Sequence, residues 1–206
     1  MKATEHGPAA NGDPLFVPEN ETRIAANRIA HVRSPSLQHS RTYMGSVMSF
    51  LVTGAHTGGR FAMMEYRAKP GNEPPPHVHE WEDEFYHVLD GSAEFHCGAE
   101  RLRAIAGDYI FLPQGRPHTF DILSPEIRMT IIVCSTSGRP VALDRYFVEM
   151  SEPASSMDLP SGAITYATAD PGHAIAVAAA YGIHILSPEE AARAMPNYPG
   201  FGAHRR

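Results

Sequence analysis

The chain has 206 residues, 23 acidic against 17 basic side chains and a formal net charge of −6. That length suits one sizeable core, and the acidic balance without a Lys/Arg cluster argues against nucleic acid and anionic membranes as partners. No window reaches the ~18 apolar residues of a spanning helix, the first residues hold no apolar signal segment, and two cysteines read as reduced thiols, so a cytoplasmic location is expected.

Residues 1–40 read as an N-terminal arm, with Ile24, Ile29 and Val32 available to a short packed segment. Residues 41–136 read as an all-β body. Ser46–Thr53 alternates, with Met48, Phe50 and Val52 on one face and Val47, Ser49 and Leu51 on the other. Ala55–Arg60 is expected to turn, and Phe61–Ala68 to return as a strand that sends Ala62, Met64, Tyr66 and Ala68 inward. Pro74-Pro75-Pro76 is stiff and cannot donate ladder hydrogen bonds, so it should bring the chain rigidly to His77 at the start of a strand or at a sheet edge.

Phe85–Leu89 and Ser92–Cys97 read as a hairpin closed by Asp90-Gly91. Such pairing sets Tyr86 opposite Phe95 and Glu84 opposite Cys97. Glu84, Tyr86, Val88, Ala93, Phe95 and Cys97 then share the more apolar face, and Phe85, His87, Leu89, Glu94 and His96 share the outer one. Arg101–Ile105 and Tyr109–Leu112 are further strands, and Pro113–Pro117 is the turn that delivers His118, with Phe120 and Ile122 following it inward. Ile127–Cys134 closes the body through Ile127, Met129, Ile131 and Val133.

Residues 137–206 read as a helical tail lying on the barrel or on a partner subunit. Leu143, Phe147 and Met150 suit one short helix, and Asp170-Pro171 and Gly182 frame a second through Tyr181. Ser187-Pro-Glu-Glu190 has the spacing of a capping box and opens a third, ended by Pro196.

The chemistry concentrates on four side chains. His77 and His79, two apart, project to one side of a strand. Glu84 can join them only if a turn intervenes, and Glu80-Trp81-Glu82-Asp83 is polar enough to supply it, read as a solvated acidic stretch that also favours cations. A carboxylate facing a core needs a partner, and a metal ion is a good one. His77, His79, Glu84 and His118 therefore form a candidate single-metal site, set against a metal-free polar network. Their donors suit one divalent transition metal ion among Fe, Ni, Mn, Co, Cu and Zn. Met48, Phe50, Met64, Tyr66, Tyr86, Phe120 and Met129 are inward candidates for an apolar substrate pocket. Cys97 reads as a small buried hydrophobe, with a thiolate ligand as the competing reading, and His87 and His96 as solvent-facing.

Gly71, His77, His79, Glu84 and Gly91, followed by Gly107, Pro113, Gly115 and His118, resemble the two motifs of the cupin superfamily, with Asp121 where the second motif has Asn. The resemblance implies a double-stranded β-helix (jelly-roll) barrel from roughly Tyr43 to Cys134, with the short C-terminal helices packed outside. The three-His-one-Glu set is similar to that of quercetin 2,3-dioxygenases of the small bacterial kind. It implies a homodimer and a dioxygenase that uses dioxygen to open a flavonol or another enol-bearing aromatic, with Glu84 as ligand and catalytic base. A non-redox metal-dependent lyase or isomerase, or a metal-containing small-molecule binding cupin without catalysis, would use the same four residues.

Overall fold

The computed structural model describes residues 30–161 and 171–200. Ile24, Ile29 and Asp170 lie outside the described residues, and Val32 is 96% exposed, so it packs into nothing. The strands β1 Ser40–Tyr43, β2 Ser46–Val52, β3 Phe61–Ala68, β4 His77–His79, β5 Glu82–Asp90 and β6 Ser92–Cys97 come first. After them run β7 Glu100–Ile105, β8 Tyr109–Leu112, β9 His118–Ile122, β10 Ile127–Ser135, β11 Glu152–Pro153 and β12 Ile183–Ile185. Short helices α1 Gly54–Thr57, α2 Leu143–Glu149, α3 Pro171–Ala180 and α4 Pro188–Ala194 are interspersed. The strands form two antiparallel sheets, ordered β11-β1-β2-β3-β10-β5-β8 and β12-β4-β9-β6-β7. The architecture is a jelly-roll β-sandwich.

The core lies between the two inner faces, and sequence alternation put the right residues there. Met48, Phe50, Ala62, Met64, Val88, Ala93, Phe95, Met129 and Val133 have no exposed surface. Burying each of the larger ones contributes about 1.5–3 kcal/mol. Aromatic rings interlock across the gap between sheets, with Tyr86 5.1 Å from Phe95 and 5.9 Å from Phe120 between ring centroids.

One expected pairing is overturned. Asp90-Gly91 does not close a hairpin: β5 lies between β10 and β8 in the seven-stranded sheet, whereas β6 pairs with β7 and β9 in the other. Gly91, at φ 87°, turns the chain across the corner from one sheet to the other. The inward set survives because both sheets bury the same alternate positions. The neighbours change, however: Glu84 pairs with Val133 and Leu112, and Cys97 pairs with His118. His96 is the second correction, for it is 1% exposed rather than solvent-facing. Its Nε2 lies 2.9 Å from Asp121 Oδ2 on the outer face of the five-stranded sheet, and the Tyr198 ring covers it at 5.0 Å.

The tail is more than a set of helices. The three expected helices are α2, α3 and α4, and α4 carries the capping box between Ser187 and Glu190. Yet β11 pairs with β1, and β12 pairs with β4, matching Ile185 to His77 and Ile183 to His79. The turn expected at Ala55–Arg60 holds α1, which Thr53 and His56 cap reciprocally.

Candidate metal centre

Two strands and one turn carry the four donors to one place. Strand β4 is only three residues long, so His77 and His79 both face inward while Val78 faces out. Glu80 and Trp81 make the bend, and β5 resumes at Glu82, which restores Glu84 to the same interior. The Pro113–Pro117 turn starts β9 at His118, directly paired with His77. All four residues are buried, and one ligand atom from each lies within 4.8 Å of the others. Bonds of about 2.0–2.2 Å from a single ion would need only small shifts to reach them.

The hydrogen bonds outside this cluster settle which nitrogens face it. His77 Nδ1 donates to Pro75 O at 2.8 Å, and His118 Nδ1 donates to Arg116 O at 2.8 Å. A carbonyl can only accept, so the hydrogens sit on Nδ1 and the Nε2 lone pairs point to the centre. His79 Nδ1 is held 3.0 Å from Glu82 Oε2 in the same way. At the centre, His118 Nε2 lies 2.9 Å from Glu84 Oε2 and His79 Nε2 lies 3.6 Å from Oε1. Both nitrogens are buried and form no hydrogen bond of acceptable geometry. Lone pairs aimed at a carboxylate repel, and a cation among them converts the repulsion into ligation. The residues present therefore fit a divalent transition metal, which they could hold through three imidazole nitrogens and one carboxylate oxygen.

Protons compete with an ion for these atoms. Burial pushes the Glu84 carboxyl up, but the imidazoles of His79, His118 and His77 outweigh it and hold the group down at about 2. Burial, followed by the neighbouring His118 and His79, drives His77 well below the usual imidazole range, so it is neutral and free to ligate. For His79, burial pulls down while the Glu84 and Glu82 carboxylates pull up, and the carboxylates prevail.

A cavity of about 560 Å³, open mouth included, adjoins His77 and Glu84. Tyr66, Tyr86 and Phe120 line it. Met48, Phe50, Met64 and Met129 do not; they are wholly enclosed in the core beside it. Alternation specifies the face of a strand but not how near the opening a residue sits. Much of the remaining wall comes from Tyr43, from Leu143, Tyr146 and Phe147 on α2, and from Ile183 and Ile185 on β12. Sequence reasoning missed this contribution from the tail, since an amphipathic helix does not announce what it covers. The Cys97 thiol, pushed up by burial, stands outside the donor set.

Glu82 was also misread. Rather than lying in a solvated turn, it is 1% exposed, and its Oε1 accepts from the backbone N–H groups of Ala142 at 2.6 Å and Leu143 at 3.2 Å. One carboxylate thus holds His79 and the start of α2 together. Asp83 accepts from the Gln114 N–H at 2.7 Å, and Glu80 remains exposed.

Comparison with known proteins agrees with this geometry. Residues 64–134 match the family model of the cupin domain. The chain belongs to the cupin superfamily. Over 83 residues this cupin is 34% identical to quercetin 2,3-dioxygenase of Bacillus subtilis (strain 168), a stretch covering 40% of this chain and 25% of that protein. The match thus spans only a quarter of the curated relative. Among solved structures, a predicted oxalate decarboxylase of Thermotoga maritima is similar over 52% of this chain and 100% of its own, at 20% identity and a TM-score of 0.47. KdgF from Halomonas sp. is similar over 53% of this chain and 97% of its own, at 17% identity and a TM-score of 0.45. No helix among the described residues is long and apolar enough to cross a membrane.

Proposed function

We propose that this cupin is a metal-dependent dioxygenase that opens a flavonol or a related enol-bearing aromatic. The observation that carries the reading is a cluster of three imidazoles and one carboxylate, of which His77 and Glu84 reach the wall of a cavity built mostly from aromatic and aliphatic side chains. The relative named quercetin 2,3-dioxygenase supports it. When bound, a divalent transition metal would supply a Lewis-acidic centre for the substrate oxygens and, where redox-active, a route for electrons to dioxygen.

The chain's own residues have distinct parts in that reaction. His77, His79 and His118 hold the metal, each fixed from behind by an acceptor on its Nδ1. Glu84, ionised across the physiological range, accepts the proton of the substrate's enol hydroxyl at Oε1 or Oε2. The Tyr86 hydroxyl lies 3.4 Å from Glu84 Oε2. Burial and then the Glu84 charge raise its pKa, so it stays protonated and faces the carboxylate as a donor. The apolar walls admit a flat ligand and exclude water, which strengthens every electrostatic contact inside.

Dioxygen consumption by metal-reconstituted protein across a panel of flavonols tests the proposal. Uptake should match flavonol loss and vanish in Glu84→Ala. Absence of uptake throughout the panel would sink the oxygenase reading, and turnover of the same compounds in anaerobic buffer would reassign the site to a non-redox lyase or isomerase.

A further inference from the structure

Four tyrosine hydroxyls reach the cavity, and they are not equally engaged. Tyr66 donates to Asn72 O at 2.9 Å, and Tyr86 faces Glu84. Tyr43 and Tyr146 face each other, oxygen to oxygen, at 2.8 Å. Two phenols joined by one hydrogen bond have used one hydrogen and kept another, whichever of them donates. That second hydrogen meets no acceptor among the described residues, although Tyr43 and Tyr146 are only 9% and 6% exposed. The Phe147 ring packs edge-on to Tyr43 at 5.0 Å and tilted to Tyr146 at 5.5 Å between centroids, so it gives the pair an apolar neighbour. A buried donor left unsatisfied has lost its water without replacement, and an arriving ligand oxygen removes that penalty.

The pair sits well away from the metal centre along the sheet. Tyr43 belongs to β1 and Glu84 to β5, with β2, β3 and β10 between them. Four strand spacings of about 4.8 Å set their backbones roughly 19 Å apart along the sheet, and both side chains reach inward from there to the one cavity. A ligand that engages both ends must be elongated and largely apolar, with an oxygen at each end.

We propose that the Tyr43–Tyr146 pair is a specificity subsite that binds a hydroxyl or carbonyl oxygen at the far end of the substrate. This rests on the reading above that the enol end lies at Glu84. Among enol-bearing aromatics, it selects those hydroxylated on a terminal ring over the unsubstituted flavonol.

Equilibrium binding to the full-length, metal-loaded chain under anaerobic conditions tests this without turnover. The probes are unsubstituted flavonol and its counterparts carrying one hydroxyl on either terminal ring. The wild-type protein should bind at least one hydroxylated probe about tenfold more tightly than the unsubstituted one, the size of one hydrogen bond to a buried donor. In the double variant Tyr43→Phe/Tyr146→Phe, checked for an intact thermal transition, that ratio should fall to about one, because no hydroxyl remains at that end, whereas either single variant keeps one hydrogen free to donate. A wild-type ratio of one, or a ratio preserved in the double variant, overturns the subsite while leaving the flavonol reading standing. Failure of the wild-type protein to bind any of these probes overturns both together.

Discussion

The carboxylate of Glu82 makes a sharp test of how the centre is held, because replacing it by glutamine changes one donor and almost no volume. In Glu82→Gln the amide oxygen can take the place of Oε1 and still accept from Ala142 and Leu143, which lie 2.6 and 3.2 Å away. The amide nitrogen then stands where Oε2 now lies, 3.0 Å from His79 Nδ1. Two donors cannot share that contact, so His79 must move its hydrogen from Nδ1 to Nε2, the atom that faces the metal centre. Losing a ligand's outer partner typically costs ten- to a hundredfold in metal affinity, or about 1.4–2.7 kcal/mol. Stability of the metal-free protein should change little, since both N–H groups at the start of α2 keep an acceptor. Glu82→Ala, by contrast, strands those N–H groups inside the protein and should cost about 3–5 kcal/mol of folding stability. Competition against a chelator of known affinity gives the metal constant, and denaturant titration of the metal-free protein gives the stability. Wild-type metal affinity in Glu82→Gln would refute the tautomer argument, whatever happened to activity.

Other expectations follow from single residues. Asp144 is buried, and although the Gly54 N–H donates to it at 2.7 Å, burial prevails and pushes its carboxyl up to about 6. A folded pKa above the unfolded one stabilises the protein fully below the unfolded value of 3.8 and loses that contribution as pH rises through about 6. The roughly two-unit gap is worth about 3 kcal/mol, so Asp144→Asn should gain that much relative to wild type between about pH 4 and pH 7. Parallel stability curves for the two proteins, measured by denaturant titration at each pH, would contradict the assignment. Gly182 holds φ 69°, and a Cβ there would fall within the Trp81 ring. Gly182→Ala should cost at least about 1–2 kcal/mol from backbone conformation alone, with the clash in addition. It should loosen β12 from β4, seen as a lower melting temperature and faster proteolysis of the tail; an unchanged protease pattern would count against the docking.

Most of the barrel could be read from alternation, because most strands bury one face more than the other. Ala62, Met64, Tyr66 and Ala68 on β3, and Ile127, Met129, Ile131 and Val133 on β10, are all buried as their spacing requires. Pairing was less legible. A two-residue Asp-Gly turn serves a hairpin and a sheet-to-sheet corner alike, and the inward residues are the same in both. Local pattern therefore could not show that β5 and β6 belong to different sheets. His96 failed for another reason: its burial comes from Asp121, 25 positions away in sequence, and from Tyr198 in the tail.

The centre shows the same division between what spacing specifies and what only the fold can supply. His77, His79 and His118 stand at positions where strand geometry and a turn determine direction, so their convergence with Glu84 could be anticipated. The acceptors behind them could not. Two are backbone oxygens, of Pro75 and Arg116, which any residue type could provide. The third, Glu82, is one of three acidic side chains between His79 and Glu84, and no local feature separates it from Glu80 or Asp83. What singles it out is helix α2, sixty residues later, whose unpaired N–H groups at Ala142 and Leu143 require an acceptor in the core. The same helix brings Tyr146 and Phe147 to the cavity. A single carboxylate therefore ties the tautomer of a metal ligand to the element that shapes the substrate wall, so substitutions that displace α2 should disturb metal affinity and ligand selectivity together.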